Sequence, residues 1–228
     1  MRTTPEPVEP LCIGVGHRKG GTSKTTTAVY LAFALAATYP HRPVWLIDGD
    51  TTNDSTWLWL RRARDRWDRR EEGAREFPAN LHFIRWDPEQ GRLGDFIDEN
   101  VPPEADRVTD TGPDNQGGLA DAMRRARTFI VPMRPSPMEV ASLKPTLQIA
   151  QTVSGEHEFD MLILLTQVIW NSVLLKDTKD GLKALGLPMF ETEVRSSVLY
   201  AESFGHVPET LGSYYFLLQE IVAMGETK

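Results

Sequence analysis

The sequence predicts an α/β protein built on one mostly parallel, twisted sheet flanked by helices. Three observations carry that reading. Short apolar runs alternate with longer helical patterns from one end of the chain to the other, as βαβ units do. The first run, LCIGVG at 11–16, passes through a glycine-bearing loop directly into a helical stretch that begins near Lys24. Two later runs, VWLIDGD and DRVTDTG, end in aspartates, at the strand ends where ligand-binding groups gather in open α/β sheets.

Taken in order, strands are expected at 11–16 (LCIGVG), 43–48 (PVWLID), 81–85 (LHFIR), 128–132 (TFIVP), 159–165 (FDMLILL) and 188–192 (PMFET). Each is a short apolar run bounded by polar, Gly or Pro residues. A less apolar strand is expected at 106–110 (DRVTD). Helices are expected over 24–38, 54–72, 118–127, 138–152, 176–185 and 210–224. The Pro/Gly-bearing stretches 100–117 and 132–137 read as loops at strand ends rather than domain linkers. Neither an internal repeat nor a low-complexity segment divides the chain. The expectation is a disordered lead over residues 1–10, whose MRTTPEPVEP holds three prolines, followed by one domain over 11–228.

Composition narrows the class. A chain of 228 residues, 40% hydrophobic and 25% charged, has room for a substantial core and the profile of an ordinary globular protein. No stretch approaches the roughly 18–20 apolar residues of a membrane span, and the N-terminus lacks the apolar run of a signal peptide. The single Cys12 excludes an internal disulfide and any multi-cysteine metal site, which fits a reducing cytoplasm; its apolar neighbours make it a buried strand residue. The five histidines show no metal-ligand spacing. The net charge of -7 argues against a chain coated in nucleic acid while leaving room for a local basic patch.

The stretch GHRKGGTSKTTTAVYLAF at 16–33 carries the chemistry. Gly20 and Gly21 let the backbone curl so that successive N–H groups point inward, and the N-terminus of the following helix adds partial positive charge. The result is a concave anion site. Lys24 suits the β- and γ-phosphates of a nucleotide, the Thr25 hydroxyl suits Mg²⁺, and Thr26 suits the α-phosphate. The strict pattern G-x-x-x-x-G-K-[ST] is not met, because Arg18 and Ser23 stand where it has glycine.

Lys19 accounts for the departure. The stretch resembles the deviant Walker A motif, xKGGxxK[ST], of the ParA/MinD family of ATPases, in which a lysine precedes the two glycines and the position before the second lysine is free. In this chain Thr22 and Ser23 occupy the place of the family's common Val-Gly. VWLIDGD is similar to the family's VLLIDxDPQ, with Thr51-Thr52 for Pro-Gln; the resemblance implies that Asp50 orients the attacking water and that Asp48 supports the Mg²⁺ shell. Without the resemblance, both aspartates read as turn residues bonding local backbone. TDTGP at 109–113 resembles the family's IIDTPP, which makes Asp110 a Mg²⁺-shell residue acting through water, although Gly112 replaces a proline. LADAMRRARTFIVPMRPSP, FDMLILLTQV and PMFETEVRSSVLYAESFGHVP follow the family's later segments in order, so the resemblance covers about 11–225.

The family implies a P-loop fold and a slow, Mg²⁺-dependent ATPase that binds ATP through Lys19, Gly20, Gly21, Thr22, Ser23, Lys24, Thr25 and Thr26. Lys19, Lys24 and Asp50 are its implied catalytic set, with Lys19 reaching across an ATP-dependent homodimer to the partner's phosphates. The leading expectation is a short ParA-type partition ATPase, cytoplasmic and nucleoid-associated, that binds nonspecific DNA and responds to a ParB-like or adaptor partner. The expected DNA contacts are Arg195 with Lys176, Lys179 and Lys183, for which an ordinary solvated face is the competing reading. A MinD-like or protein-cargo positioning ATPase, a metabolic relative and a non-enzymatic nucleotide-binding scaffold are the alternatives. Membrane docking through SYYFLLQEIVAMGETK is disfavoured, because Glu220 and Glu226 face only Lys228. In WLWLRRARDRWDRREE at 57–72, Asp65, Asp68, Glu71 and Glu72 alternate with six arginines, which reads as a solvated or protein-binding helix with Trp57, Leu60 and Trp67 on one stripe.

Overall fold

The structure is a computed structural model that describes residue 7 and residues 9–226. The proposed lead at 1–10 falls mostly outside the described residues, as does Lys228. Six parallel strands form one sheet in the order β3-β2-β4-β1-β5-β6. These are β1 (Cys12–Val15), β2 (Val44–Gly49), β3 (Leu81–Arg85), β4 (Asp106–Thr111), β5 (Thr128–Met133) and β6 (Asp160–Leu165). Helices α1 (Lys24–Thr38), α2 (Ser55–Asp68) and α9 (Ser213–Glu226) cover one face, where Leu31, Leu35, Trp59, Leu60, Leu217 and Leu218 pack. On the other face α3 (Leu93–Asn100), α4 (Gln116–Arg125), α6 (Lys144–Ser154) and α7 (Val173–Ala184) close over Ile47, Phe129, Val131 and Ile163. Strands buried on both faces read as continuous apolar runs, as β1, β5 and β6 do.

β4 is the exception to that rule and sits in the middle of the sheet, between β2 and β1. Its sequence, DRVTDT, is polar at most positions, yet almost every residue is buried. Several of its polar side chains are satisfied from other elements instead. At its start Asp106 takes a bidentate contact from Arg42, at 2.9 and 2.6 Å, and the Leu11 amide at 2.8 Å. Near its end the Thr111 hydroxyl donates to the Val15 carbonyl at 3.1 Å.

Three expectations are corrected by the fold. Residues 188–192 do not form a strand: the segment makes a single parallel bridge, Ile163 with Met189, along the edge of β6. Beyond it the Glu191 and Thr192 amides are taken by the Glu220 carboxylate at 2.7 and 3.0 Å, which interrupts the pairing until the Val194 amide meets the Leu165 carbonyl at 2.9 Å. The helix expected over 138–152 is broken into α5 (Pro137–Ser142) and α6 at Pro145, whose ring and missing N–H are incompatible with an unbroken helix. α3 and the short α8 (Val198–Glu202) were not expected, although Leu93, Phe96 and Ile97 do carry helical spacing. In α2 the buried aromatic is Trp59, at 3% exposure, whereas Trp67 is exposed and Trp57 lies partly exposed with the Arg61 guanidinium over its ring.

Cys12 is buried, as expected, and burial raises its thiol pKa. The apolar residues of α9 are spent on the core: Tyr214, Leu217, Leu218, Ile221 and Val222 are all buried. Among the described residues no helix is long and apolar enough to cross a membrane.

The Arg42–Asp106 pair supplies a test of how β4 is held. Asp106→Ala leaves the guanidinium without its carboxylate in a nearly closed site, and removing one partner of a buried pair costs about 3 kcal/mol. Urea denaturation should show a midpoint lowered accordingly with an unchanged slope; an unaltered midpoint would show that β4 is held by its ladders alone.

Candidate nucleotide site

The loop between β1 and α1 is built as an anion cradle. It begins where the Gly16 amide donates to the Ile130 carbonyl at 3.0 Å, and it ends where α1 starts at Lys24. Gly21 lies at φ +73°, the left-handed region open to glycine. Ser23 lies there too, at φ +70°, which is strained for a residue with a side chain. The unusual serine is therefore accommodated at a conformational cost. Offsetting that cost, the Gln167 side-chain amide donates to Ser23 Oγ at 2.9 Å. Arg134 donates to the Gly21 carbonyl at 2.7 Å and the Thr166 hydroxyl to the Thr22 carbonyl at 3.2 Å, so the rim is clamped from β5 and β6.

Inside the cradle Lys24 Nζ donates to the Lys19 carbonyl at 2.9 Å, curling over its own loop. Burial lowers its pKa, against the pull of Asp110 and Asp50. The adjoining His17 is fully buried, and its pKa is pushed down to about 4, first by burial and then by Lys24 and Lys19. Lys19 extends outward to Glu139 on α5, Nζ to Oε1 at 2.8 Å.

The aspartates arrive from adjacent strands. Asp48 and Asp110 are register partners across β2 and β4. Asp110 Oδ2 accepts from the Thr25 hydroxyl at 2.8 Å and the Thr56 hydroxyl at 2.6 Å, and Ser55 Oγ lies 3.2 Å from Thr25 Oγ1. Its Oδ1 is buried with no hydrogen-bond partner among the described residues. Asp48 accepts the Asp50 amide on one oxygen and the Trp57 amide on the other, at 3.1 and 2.9 Å. Asp50 Oδ1 accepts the Thr52 and Asn53 amides at 2.8 and 3.2 Å. Its carboxylate lies against Gly112, where a Cβ would come within 2.4 Å of Oδ1. A side chain at 112 would have to displace the Asp50 carboxylate from this position.

Two neighbouring buried carboxylates repel each other as anions and therefore hold their protons more tightly. Burial pushes Asp48 up to about 7, with Asp110 the next cause, and pushes Asp110 up to about 6 against the hydrogen bonds from Thr56 and Thr25. The donor set suits Mg²⁺: one hydroxyl and a carboxylate with an unused buried oxygen, the remaining ligands being left to phosphate and water. Among the described residues no three His, Cys, Asp or Glu side chains gather as a cage.

No protein-family model matches the chain. Among curated proteins it is similar to the maintenance of carboxysome distribution protein A of Gloeobacter kilaueensis, 31% identical over 189 residues, which span 82% of this chain and 77% of the relative. The chain belongs to the ParA/MinD family of deviant Walker A ATPases. Solved structures agree at the level of fold. Apo McdA of Cyanothece superposes with a TM-score of 0.67 at 19% identity, over 96% of this chain and all of that one. A putative plasmid partition protein of Borrelia burgdorferi B31, bound to AMPPNP, gives 0.67 at 15% identity, over 96% and 99%. The MinC:MinD complex of Aquifex aeolicus gives 0.64 at 16%, over 95% of each chain.

Within this ParA/MinD-type site the structure gathers Lys24, Thr25, Asp48, Asp50 and Asp110 at the carboxyl ends of β1, β2 and β4. Gly20, Thr22 and Thr26 lie on the same loop and first helical turn. Sequence reading missed Ser55 and Thr56, which reach the site because α2 starts immediately after the acidic pair, and Arg134, Glu139 and Gln167, which come from distant segments. The four expected DNA cations lie elsewhere, on α7 and the segment after it. Lys179 is ion-paired with Glu193, Lys176 and Lys183 are exposed, and the Arg195 guanidinium stacks 3.5 Å from the ring centre of exposed Trp170.

The raised pKa of Asp48 gives a pH signature. Its folded value is above its unfolded one, so its contribution favours the fold at low pH and is lost as pH rises towards 7. His17 acts in the opposite sense, because its depressed pKa makes the fold lose stability as pH falls through about 6.5 to 4. The two separate by difference. The melting temperature of Asp48→Asn minus that of the wild type should rise between pH 4 and 7 and flatten above it, on top of a constant offset for the lost acceptor. A pH-independent difference would refute the buried, proton-holding Asp48.

Proposed function

We propose that this chain is a Mg²⁺-dependent ATPase whose ATP-bound homodimer positions a cargo, with hydrolysis stimulated by an adaptor protein. The observation that carries the reading is the Thr25–Asp110–Thr56 junction beside Lys24 and Asp50, at the mouth of a strand-loop-helix cradle. Lys24 takes the β- and γ-phosphates once it leaves the Lys19 carbonyl. The loop amides from Gly20 to Thr26 hold the remaining phosphate oxygens. Thr25 and Asp110 would hold Mg²⁺, which when bound neutralises phosphate charge. Asp48, whose oxygens are engaged by backbone amides, fixes the turn that presents Asp50. Asp50, held by the Thr52 and Asn53 amides, orients the attacking water. Lys19 supplies charge to the partner protomer's phosphates, a contribution worth about 10³–10⁵ in rate where a cation is delivered in trans.

The carboxysome distribution relative, at 31% identity, supports a protein assembly as cargo. Partition of DNA, the leading expectation from the sequence, becomes the second reading; the plasmid partition structures bear on it only through fold. Either way the proposed track is nonspecific DNA held by Lys176, Lys179 and Lys183 on α7 and by Arg195 in the segment after it. The overall charge of -7 makes such binding depend on dimerisation, which pairs two copies of the patch.

Mg²⁺-ATP at about 100 times its dissociation constant should add roughly 2.7 kcal/mol. For a chain of this size the melting temperature rises by about 5–10 °C. Lys24→Ala should abolish most of that rise, and a wild-type curve indifferent to Mg²⁺-ATP would sink the nucleotide reading. The DNA track is tested separately by titrating salt. With about four phosphates neutralised, log affinity should fall against log salt with a slope near -3 to -4, only with ATP present and on any sequence. Arg195→Glu should weaken that binding and spare ATP binding. Equal DNA affinity with and without nucleotide would remove the gated track.

A further inference from the structure

Lys19 is not free to act on a second subunit. Its ammonium is bound at 2.8 Å to Glu139 Oε1 of its own chain, and the pair is asymmetric: the glutamate side chain is 10% exposed and the lysine 35%. The other oxygen of Glu139 is buried without a hydrogen-bond partner among the described residues, so Lys19 provides the carboxylate's described side-chain partner. Glu139 itself is rigidly placed. α5 is capped by Ser136, whose hydroxyl accepts the Met138 amide at 3.2 Å, and the Glu139 amide is bound to the Ser136 carbonyl at 3.0 Å. On the other side, the Lys19 carbonyl holds Lys24 Nζ and the Lys19 amide donates to His17 Nδ1 at 3.1 Å. The backbone of Lys19 is therefore fixed by the loop while its side chain is fixed by α5.

We propose that Glu139 is an intramolecular latch that holds Lys19 back from the dimer interface, so that assembly requires Lys19 to exchange Glu139 for the partner's phosphates. This rests on the reading of Lys19 as the residue that acts in trans. Separating the pair strips a buried carboxylate of its counter-ion, and that loss is recovered only when triphosphate charge is presented across the interface. ADP, lacking the γ-phosphate, presents less charge and leaves the latch closed. The latch thus adds a threshold to assembly and leaves the binding of nucleotide to the monomer untouched. Arg134, in the loop between β5 and α5, holds the Gly21 carbonyl and keeps the glycines in place while the lysine moves.

Glu139→Gln removes the charge and keeps the shape. Light scattering against ATP concentration should show the variant dimerising at roughly tenfold lower ATP than the wild type, the scale expected for a half-shielded charge-assisted bond. Unstimulated turnover per site should rise with the dimer fraction. ADP affinity should be unchanged, a result that a merely structural role for Glu139 would not give. Glu139→Ala should act in the same direction, and Lys19→Ala combined with Glu139→Gln should abolish the gain. A wild-type protein that dimerises with ATP while Glu139→Gln needs the same or more ATP overturns the latch and leaves the trans role standing. Dimerisation by Glu139→Gln alone supports the latch. If neither protein dimerises at saturating ATP, the trans role fails and the latch with it.

Discussion

The hydrogen-bonded junction at Asp110 is the constraint on which the site depends. One carboxylate oxygen draws together the first turn of α1 through Thr25 and the first turn of α2 through Thr56, while the backbone of Asp110 runs between β2 and β1. Two helices and the two central crossovers are thereby referenced to a single buried atom. Among the described residues the second oxygen is buried without a hydrogen-bond partner, which costs free energy.

The electrostatics follow from that arrangement. Buried acids at Asp48 and Asp110 retain protons to unusually high pH, and Lys24 is pulled towards neutrality by the same burial. The acids and the lysine thus sit side by side, each displaced by burial towards its neutral form. His17, kept neutral behind the loop, adds no further positive charge to compete with the lysines. Ser23 enters α1 in the left-handed region, and Gln167 from beyond β6 holds that turn.

Away from the cradle, the exposed side chains of Ile169, Trp170, Val173 and Leu174 surround the base of α7, with Arg195 laid on Trp170. This region is joined to the phosphate loop through Gln167, and its Val168 pairs with Arg195 in a parallel bridge. A change at Ser23 therefore has a short covalent and hydrogen-bonded route to the face that carries the α7 lysines.

Local chemistry was legible along the chain: strand, loop and helix at 11–38, the acidic strand ends at Asp48, Asp50 and Asp110, and the order of alternating elements. These are readable because periodicity, glycine and charge act between neighbours in the chain. Even the weak strand at 106–110 was legible, though its central position was not, since polar DRVTDT is stabilised by Arg42 and Leu11, remote in sequence. The closure of the fold in space set the single bridge made by 188–192, the transfer of its amides to Glu220, and the approach of Gly112 to the Asp50 carboxylate. It likewise decided that Lys19 would meet Glu139, 120 residues away. Partners so distant leave no periodic trace in a sequence, because their contact is fixed by how the sheet and its crossovers close in space rather than by any spacing along the chain.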